Sequence, residues 1–485
     1  MEKLNLWFTV SEAQGLVKSG GLADVAKALP KALQDLGHQV AIVLPAYQAI
    51  PHVSDAPVLF ETELNHWPHT AYKVRKSQLD GVDVYLIDCA QYYDRPELYA
   101  ENNHAYQDNG ERFSFFSAAS LDVLPKLEIC PDIVHANDWH TGFVPFLLKT
   151  RYREDPFFAN VKSVLTVHNA VFKGIFHYHQ VQTIPELNLS GMEFLRYGHD
   201  QVSMLRAGIA FADKINAVSP NYASELLTAL GAHGLVDDFV HRACDLHGIV
   251  NGCDYSEWEP SQDEFLPTPY TSEATSLKQG KADAKLTLQQ EVGLPQENKP
   301  MFGMVCRLTH QKGFSYLLPI LEKFLNNDVQ VVIIGTGEAE IASWLRGIAK
   351  QYPEKFAFLE AYSNRFAHLI EAGADFFLMP SEFEACGLNQ IYSMAYGTLP
   401  IVREVGGLKD TVVDYDSAPQ EATGFSFKEP TPEALLIAMQ RALLLLLQDP
   451  DGFTRVQQRA MQQDFSWKES AVQYVKMYEL AKNGA

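Results

Sequence analysis

Short apolar runs alternating with helical stretches constrain this chain more than any other feature. "KLNLWFTV" (3–10), "HQVAIVLP" (38–45), "VDVYLID" (82–88), "DIVHAN" (132–137), "KSVLTVH" (162–168) and "KINAVS" (214–219) read as buried strands. A second series comprises "MFGMVC" (301–306), "VQVVIIG" (329–335), "DFFLMP" (375–380) and "LPIVRE" (399–404). Strands of this kind with helices between them make an α/β protein with parallel sheets. At 485 residues the chain is too long for one comfortable core, so two or more domains are expected. The polar stretch "SQDEFLPTPYTSEATS" (261–276) is the expected boundary, with a second sheet beginning near residue 300.

Composition removes several classes of partner. A formal charge of −21 argues against nucleic acid or an anionic membrane, both of which reward basic surfaces. Any anionic ligand must be held by a local positive site. The six cysteines (Cys89, Cys130, Cys244, Cys253, Cys306 and Cys386) are scattered without a CxxC pair and fit a reduced, cytoplasmic protein. The first apolar run has no small-residue cleavage site and already serves as a strand. "ALLIAMQRALLLLLQ" (434–448) is interrupted by Gln440 and Arg441, falls short of a membrane span, and is expected to be a buried helix.

In parallel α/β sheets, ligands bind at the carboxyl ends of strands. The first such loop, in "VKSGGLADVAKALPKAL" (17–33), sets Lys18, Gly20 and Gly21 against a helix built on Leu22, Val25, Ala26, Leu29 and Leu33. Pro30 is expected to kink that helix. Two reasons for the glycines stay open: a tight strand-to-helix turn, or bare N–H groups that let an anion approach. Later loops carry Asp138, Trp139 and His140; His168 and Asn169; Arg307, Thr309, Gln311 and Lys312; and Glu382, Glu384, Cys386 and Gly387. "IVREVGGLKDT" (401–411) repeats the Gly-Gly-Leu device. One cleft between two domains would collect all these groups.

Taken singly, each has a plainer reading. Arg307 and Lys312 read as solvated surface charges, His168 as a structural histidine, Cys386 as a small buried side chain. Glu384 and Asp138 could cap helices. "GTGEAE" (335–340) lacks the third glycine of a dinucleotide loop and reads as a tight turn. "DYD" (414–416) reads as surface, and "HYH" (177–179) as a marginal metal candidate without a third ligand.

Together, "KSGGLADVAKALPKAL", "HANDWHTG", "VHNAVFKG", "RLTHQKG" and "PSEFEACGLNQIYSMAYGTLPIVREVGGLKDTV" resemble the bacterial glycogen synthase and plant starch synthase family, from about residue 4 to about residue 480. The resemblance implies the GT-B fold, two Rossmann-like domains facing across a deep cleft. It implies a domain over 1–250 on the acceptor and sugar side, a nucleotide-sugar domain over 251–465, and a helix over 466–485 that crosses back. It also implies a hinge near 247–260 and closure of the two halves on the donor.

The family is a retaining glycosyltransferase. It moves glucose from ADP-glucose to the non-reducing 4-OH of glycogen or another α-1,4-glucan. By resemblance, Lys18, Asp138, His168, Arg307, Lys312 and Glu384 are catalytic. Gly20, Gly21, Asp24, Asn169, Tyr362, Cys386, Gly387, Leu388 and Asn389 bind the nucleotide sugar, with Tyr362 stacked on adenine. No cofactor and no metal are implied, because three cations can absorb the charge of a leaving diphosphate. Asn137, Cys253, Val405 and "AVFK" (170–173) depart from the usual family pattern. The alternatives are the same transfer from UDP-glucose, or a catalytically silent glucan-binding protein on the same fold. A phosphorylase would need a pyridoxal-phosphate lysine motif, which the sequence lacks.

Overall fold

The computed structural model describes residues 2–484 apart from 65, 66, 68, 69, 102, 103, 189 and 190. Its strands are β1 (Asn5–Thr9), β2 (Gln39–Pro45), β3 (Val58–Glu63), β4 (Ala71–Leu79), β5 (Val82–Asp88), β6 (Ala100–Glu101), β7 (His104–Ala105), β8 (Ile133–Asn137) and β9 (Lys162–Val167). They continue as β10 (Ile175–His177), β11 (Gln201–Ser203), β12 (Lys214–Ala217), β13 (Leu246–Gly248), β14 (Met301–Val305) and β15 (Gln330–Ile334). The last are β16 (Phe356–Leu359), β17 (Phe376–Met379), β18 (Leu399–Arg403) and β19 (Phe425–Phe427). Two units result: Met1–Gly252 with Trp467–Ala485, and Cys253–Ser466.

The sheet of the first unit has the order β13-β12-β9-β8-β1-β2-β5-β4-β3. From β13 to β5 every pairing is parallel. Contrary to an all-parallel expectation, β4 pairs antiparallel with both β5 and β3. These two strands were missed because "VLFETE" and "AYKVRKSQL" are rich in polar side chains, with no buried residue in β3 and only Tyr72, Val74 and Leu79 buried in β4. The second sheet is parallel throughout, in the order β16-β15-β14-β17-β18-β19.

Both strand orders reverse once. The reversal lies between β1 and β8 in the first unit, and between β14 and β17 in the second. At such a point neighbouring loops diverge to opposite faces and leave a crevice at the strands' carboxyl ends.

The helix Gly21–Asp35 buries Leu22, Val25, Ala26, Leu29 and Leu33, as its spacing requires. It runs unbroken through Pro30: one missing N–H removes one bond, and buried Leu29 and Leu33 anchor both sides. The last helix, Trp467–Asn483, belongs to the first unit. Its fully buried Tyr474 and Tyr478 reach polar core groups: Asn216 donates to Tyr474 Oη at 2.9 Å, and His135 Nδ1 lies 2.8 Å from Tyr478 Oη.

Three expectations fail. The boundary falls at Gly252/Cys253 rather than within 261–276. That polar stretch packs into the second unit, where Asp263 accepts from Tyr396 Oη at 2.6 Å and lies 2.8 Å from His368 Nδ1, while Tyr270 is buried. The helix Pro432–Gln448 is not buried all round, since Ile437, Leu444 and Leu447 are exposed. Asp414 of "DYD" is not a free surface group: it pairs with Arg441 and accepts from Ser426 N at 2.8 Å.

Among the described residues no helix is long and apolar enough to cross a membrane. All six cysteines are free thiols.

Candidate active site

In the first unit the loops after β1, β8 and β9 carry the candidate groups. Glu12, buried just past β1, accepts from the backbone N–H of Ser19 and, at 3.2 Å, from that of Gly20. Burial holds its carboxyl above the usual range. Lys18 Nζ lies 2.6 Å from Asp24 Oδ1. Gly20 precedes the helix with φ −154°, an extended conformation open to any residue, and neither glycine has a positive φ. A Cβ on Gly20 would come no nearer than 3.7 Å to Glu12, and one on Gly21 would meet nothing within 4 Å. The N–H groups of Gly21 and Leu22, at the helix start, have no partner among the described residues.

Asp138 is buried and adopts φ 52°, an unusual left-handed backbone. Its Oδ1 does not cap the turn that follows. It accepts from His168 N at 2.7 Å and from Asn169 N at 3.4 Å, tying the loops after β8 and β9 together. Burial pushes its carboxyl up to about 7. His168 Nε2 lies 2.9 Å from Asn137 Oδ1, and Asn137 Nδ2 donates to Thr9 O at 3.1 Å. That second bond orients the amide, so Nε2–H donates and Nδ1 is left an acceptor. Desolvation lowers the imidazole to about 3, so His168 is neutral at any physiological pH.

In the second unit Lys312 Nζ lies 2.6 Å from Glu384 Oε2, which also accepts from Ser381 Oγ at 3.1 Å. Both partners are mostly buried, so Lys312 is not a solvated surface charge. Glu384 is not a helix cap either, since the helix Asn389–Ala395 starts at Leu388 without a side-chain cap. Arg307 is exposed, and no hydrogen bond or ion pair among the described residues engages its guanidinium. Arg307, Lys312 and Glu384 all act electrostatically on Cys306, whose thiol burial pushes up to about 12.

Gly387 sits at φ +74°, and Asn389 Nδ2 donates to Val305 O at 2.8 Å. Cys386 is buried, whereas Tyr362 is 87% exposed. The turn "GTGEAE" is a close backbone crossing: Cβ atoms on Gly335 and Gly337 would strike Cys306 O and Leu308 O.

Residues 5–241 match the starch synthase catalytic domain, and residues 287–460 match the glycosyl transferases group 1 domain. The chain is 73% identical over 484 residues to a glycogen synthase of Vibrio cholerae serotype O1, covering 100% of both. It is 59% identical over 475 residues to a glycogen synthase of Aliivibrio salmonicida, covering 98% of both. The chain belongs to the glycogen and starch synthase family.

Solved structures agree. The catalytic domain of starch synthase IV from Arabidopsis thaliana, bound to ADP and acarbose, is 30% identical with a TM-score of 0.87, covering 99% of this chain and 100% of that one. Sucrose-phosphate synthase from Thermosynechococcus elongatus, 17% identical over 100% of both chains with a TM-score of 0.61, shares the fold. The GT-B class and glycosyltransferase activity stand on these matches.

For a glycosyltransferase of this family, the loops at both switch points carry the charged groups named from sequence. Sequence reasoning missed Glu12 and Arg403. Glu12 follows β1 by three residues, and a carboxylate so close to a strand's end was a usable signal. Arg403, which ends β18, donates to Ser381 O at 2.9 Å and to Glu382 O, bracing the backbone that carries Glu384. Nothing local in "LPIVRE" marks that role. Among the described residues no group of three or more His, Cys, Asp or Glu is arranged to hold a metal, and "HYH" contributes only two stacked imidazoles.

Proposed function

We propose that this glycosyltransferase moves glucose from ADP-glucose to the non-reducing 4-OH of an α-1,4-glucan, with retention of the α configuration. The observation that carries the reading is the Gly20-Gly21 pair, which neither φ nor packing requires. Its glycines sit at the start of a 15-residue helix whose Gly21 and Leu22 N–H groups have no partner among the described residues, with Lys18 alongside. Bare backbone at such an end suits close approach by a diphosphate. The starch synthase IV relative, bound to ADP and acarbose, supports an adenine donor and a glucan acceptor.

On the second unit Arg307 and Lys312, and on the first Lys18, are the cations suited to the charge that develops on a leaving diphosphate. Charge-assisted contacts of this kind, made strongest in the transition state, are worth a few kcal/mol each. The ion pairs to Asp24 and Glu384 hold both lysines in place, so a diphosphate competes with carboxylates already present. Glu384, Asp138, Asn169 and neutral His168 offer acceptors and donors to the sugar hydroxyls, His168 through Nδ1 in the tautomer that Asn137 selects. Tyr362 presents an exposed ring for the adenine. Departure of the diphosphate on the face the acceptor enters lets a phosphate oxygen take the acceptor's proton, and no side-chain nucleophile is needed.

The test is incorporation of labelled glucose into glycogen from ADP-glucose and from UDP-glucose, with EDTA present. ADP-glucose is expected to be the better donor and EDTA to leave the rate unchanged. Preference for UDP-glucose overturns the donor assignment. Loss with EDTA that divalent metal restores overturns the metal-free step. No transfer from either donor would leave a glucan-binding protein.

A further inference from the structure

The loop after β9 is fastened at nearly every residue, yet it carries one bare ring. His168 N and Asn169 N donate to Asp138, and Ala170 N donates to Tyr222 Oη at 2.9 Å. Val171 N and Phe172 N return to Asn169, at 3.0 Å to its side chain and 3.2 Å to its carbonyl. Lys173 O accepts from Ser203 Oγ at 2.8 Å, and Lys173 Nζ donates to His233 O at 3.1 Å. Gly174, at φ +57°, lies against Trp139, where a Cβ would come within 2.5 Å of the indole. Despite all this, the side chain of Phe172 is 56% exposed.

An exposed aromatic on a floppy loop needs no explanation, since single apolar side chains on a surface are common. A ring held out by a rigid loop, four residues from His168 and three from Asn169, is different. Ordering that backbone costs conformational entropy, and leaving the ring in water forgoes its burial. A flat apolar face held rigidly is pre-organised for another flat apolar face. A glucose ring offers one: its C–H groups leave a face without hydroxyls, while the equatorial hydroxyls point sideways to polar partners.

We propose that Phe172 is a stacking platform for a glucose unit of the acceptor chain, with Lys173 as the strut that holds the platform in place. The inference rests on the glucan-transfer reading above and deepens its acceptor side. Asn169 supplies the polar edge and Phe172 the apolar face, the usual division of labour in a sugar site. Lys173 makes no ion pair among the described residues; its ammonium is spent on the His233 and Val171 carbonyls, at 3.1 and 3.4 Å.

The full-length enzyme and its Phe172→Ala, Phe172→Leu and Phe172→Tyr variants would be compared in initial rates on maltohexaose at saturating ADP-glucose, then with the donor varied. Phe172→Ala is expected to raise the acceptor KM about fivefold or more, with kcat and donor KM within about twofold. Phe172→Tyr restores the acceptor KM. Phe172→Leu, apolar but not flat, does not. Unfolding temperatures should match the wild type, because the ring is exposed. An acceptor KM unchanged in Phe172→Ala overturns the proposal, as does a rise in donor KM alone, which would assign the ring to the nucleotide. If the wild type transfers no glucose, the underlying reading fails and this inference with it. If the wild type transfers normally and only the acceptor KM fails to move, the platform alone is lost.

Discussion

Gly20-Gly21-Leu22 and Gly406-Gly407-Leu408 look interchangeable in sequence, each following a strand and opening a helix. Their surroundings are opposite. Gly406 has φ +42°, and a Cβ there would lie 1.7 Å from Glu384 O; one on Gly407 would lie 2.4 Å from Cys386 O. These glycines exist so that the chain can lie against itself and hold the 384–386 backbone. Gly20 and Gly21 meet no such obstacle and have no positive φ. The same tripeptide thus has an internal explanation in one unit and none in the other. Neither backbone angle nor packing asks for glycine at the first pair, so a tight turn does not account for it.

The largest effect should come from Gly406→Ala. Backbone cannot yield as a flexible side chain can, so at least about 3 kcal/mol of stability should be lost. Soluble yield and urea unfolding would register it; a variant as stable as wild type would erase the contrast. Gly21→Ala should do the reverse. Stability is expected to hold or rise by about 0.5 kcal/mol, while kcat/KM for the donor falls roughly a hundredfold. A drop in stability with unchanged kinetics would make the two pairs alike after all.

The lysines extend the comparison. Lys312–Glu384 and Lys18–Asp24 are both 2.6 Å pairs, but the first is the more buried. Lys312→Met strands a mostly buried carboxylate and should cost about 2 kcal/mol of unfolding free energy. Lys18→Met should cost under about 1 kcal/mol, since its partner remains wetter. Equal losses in denaturant titration would show that burial does not separate the loops.

The smallest effect is a pH dependence within the first unit. Asp138, held up to about 7, binds its proton more tightly folded than unfolded. Its stabilising contribution is therefore full below about pH 4 and is lost as pH rises through 7. His168, lowered to about 3, has the opposite slope and loses stability as pH falls from about 6.5 towards 3. Asp138→Asn keeps an acceptor for both backbone N–H groups and deletes only the first slope. Its melting temperature relative to wild type should climb by a few degrees between pH 5 and pH 8. A flat difference would show that Asp138 titrates as an ordinary carboxylate.

Much of the fold was legible because fully buried strands announce themselves. "KSVLTV" and "VQVVII" have no polar face to confuse the reading, and each forms a strand in the structure. β3 and β4 hid because most of their side chains are exposed or only partly covered. The stretch 261–276 misled because its polarity comes from groups such as Asp263 that are satisfied internally, by Tyr396 and His368 far along the chain.

What the sequence determined by itself is the α/β alternation, the helix stripe of Leu22, Val25, Leu29 and Leu33, and the residues that head each loop. These depend on periodicity, which is local. Only the tertiary structure decided which loops meet. Strand order put the loops after β1 and β8 side by side, and those after β14 and β17. It also set Asp138 against the His168 backbone, Arg403 against the chain carrying Glu384, and Glu384 O where Gly406 must stay bare. Those pairings depend on distance between residues far apart in the chain, and no local pattern encodes it.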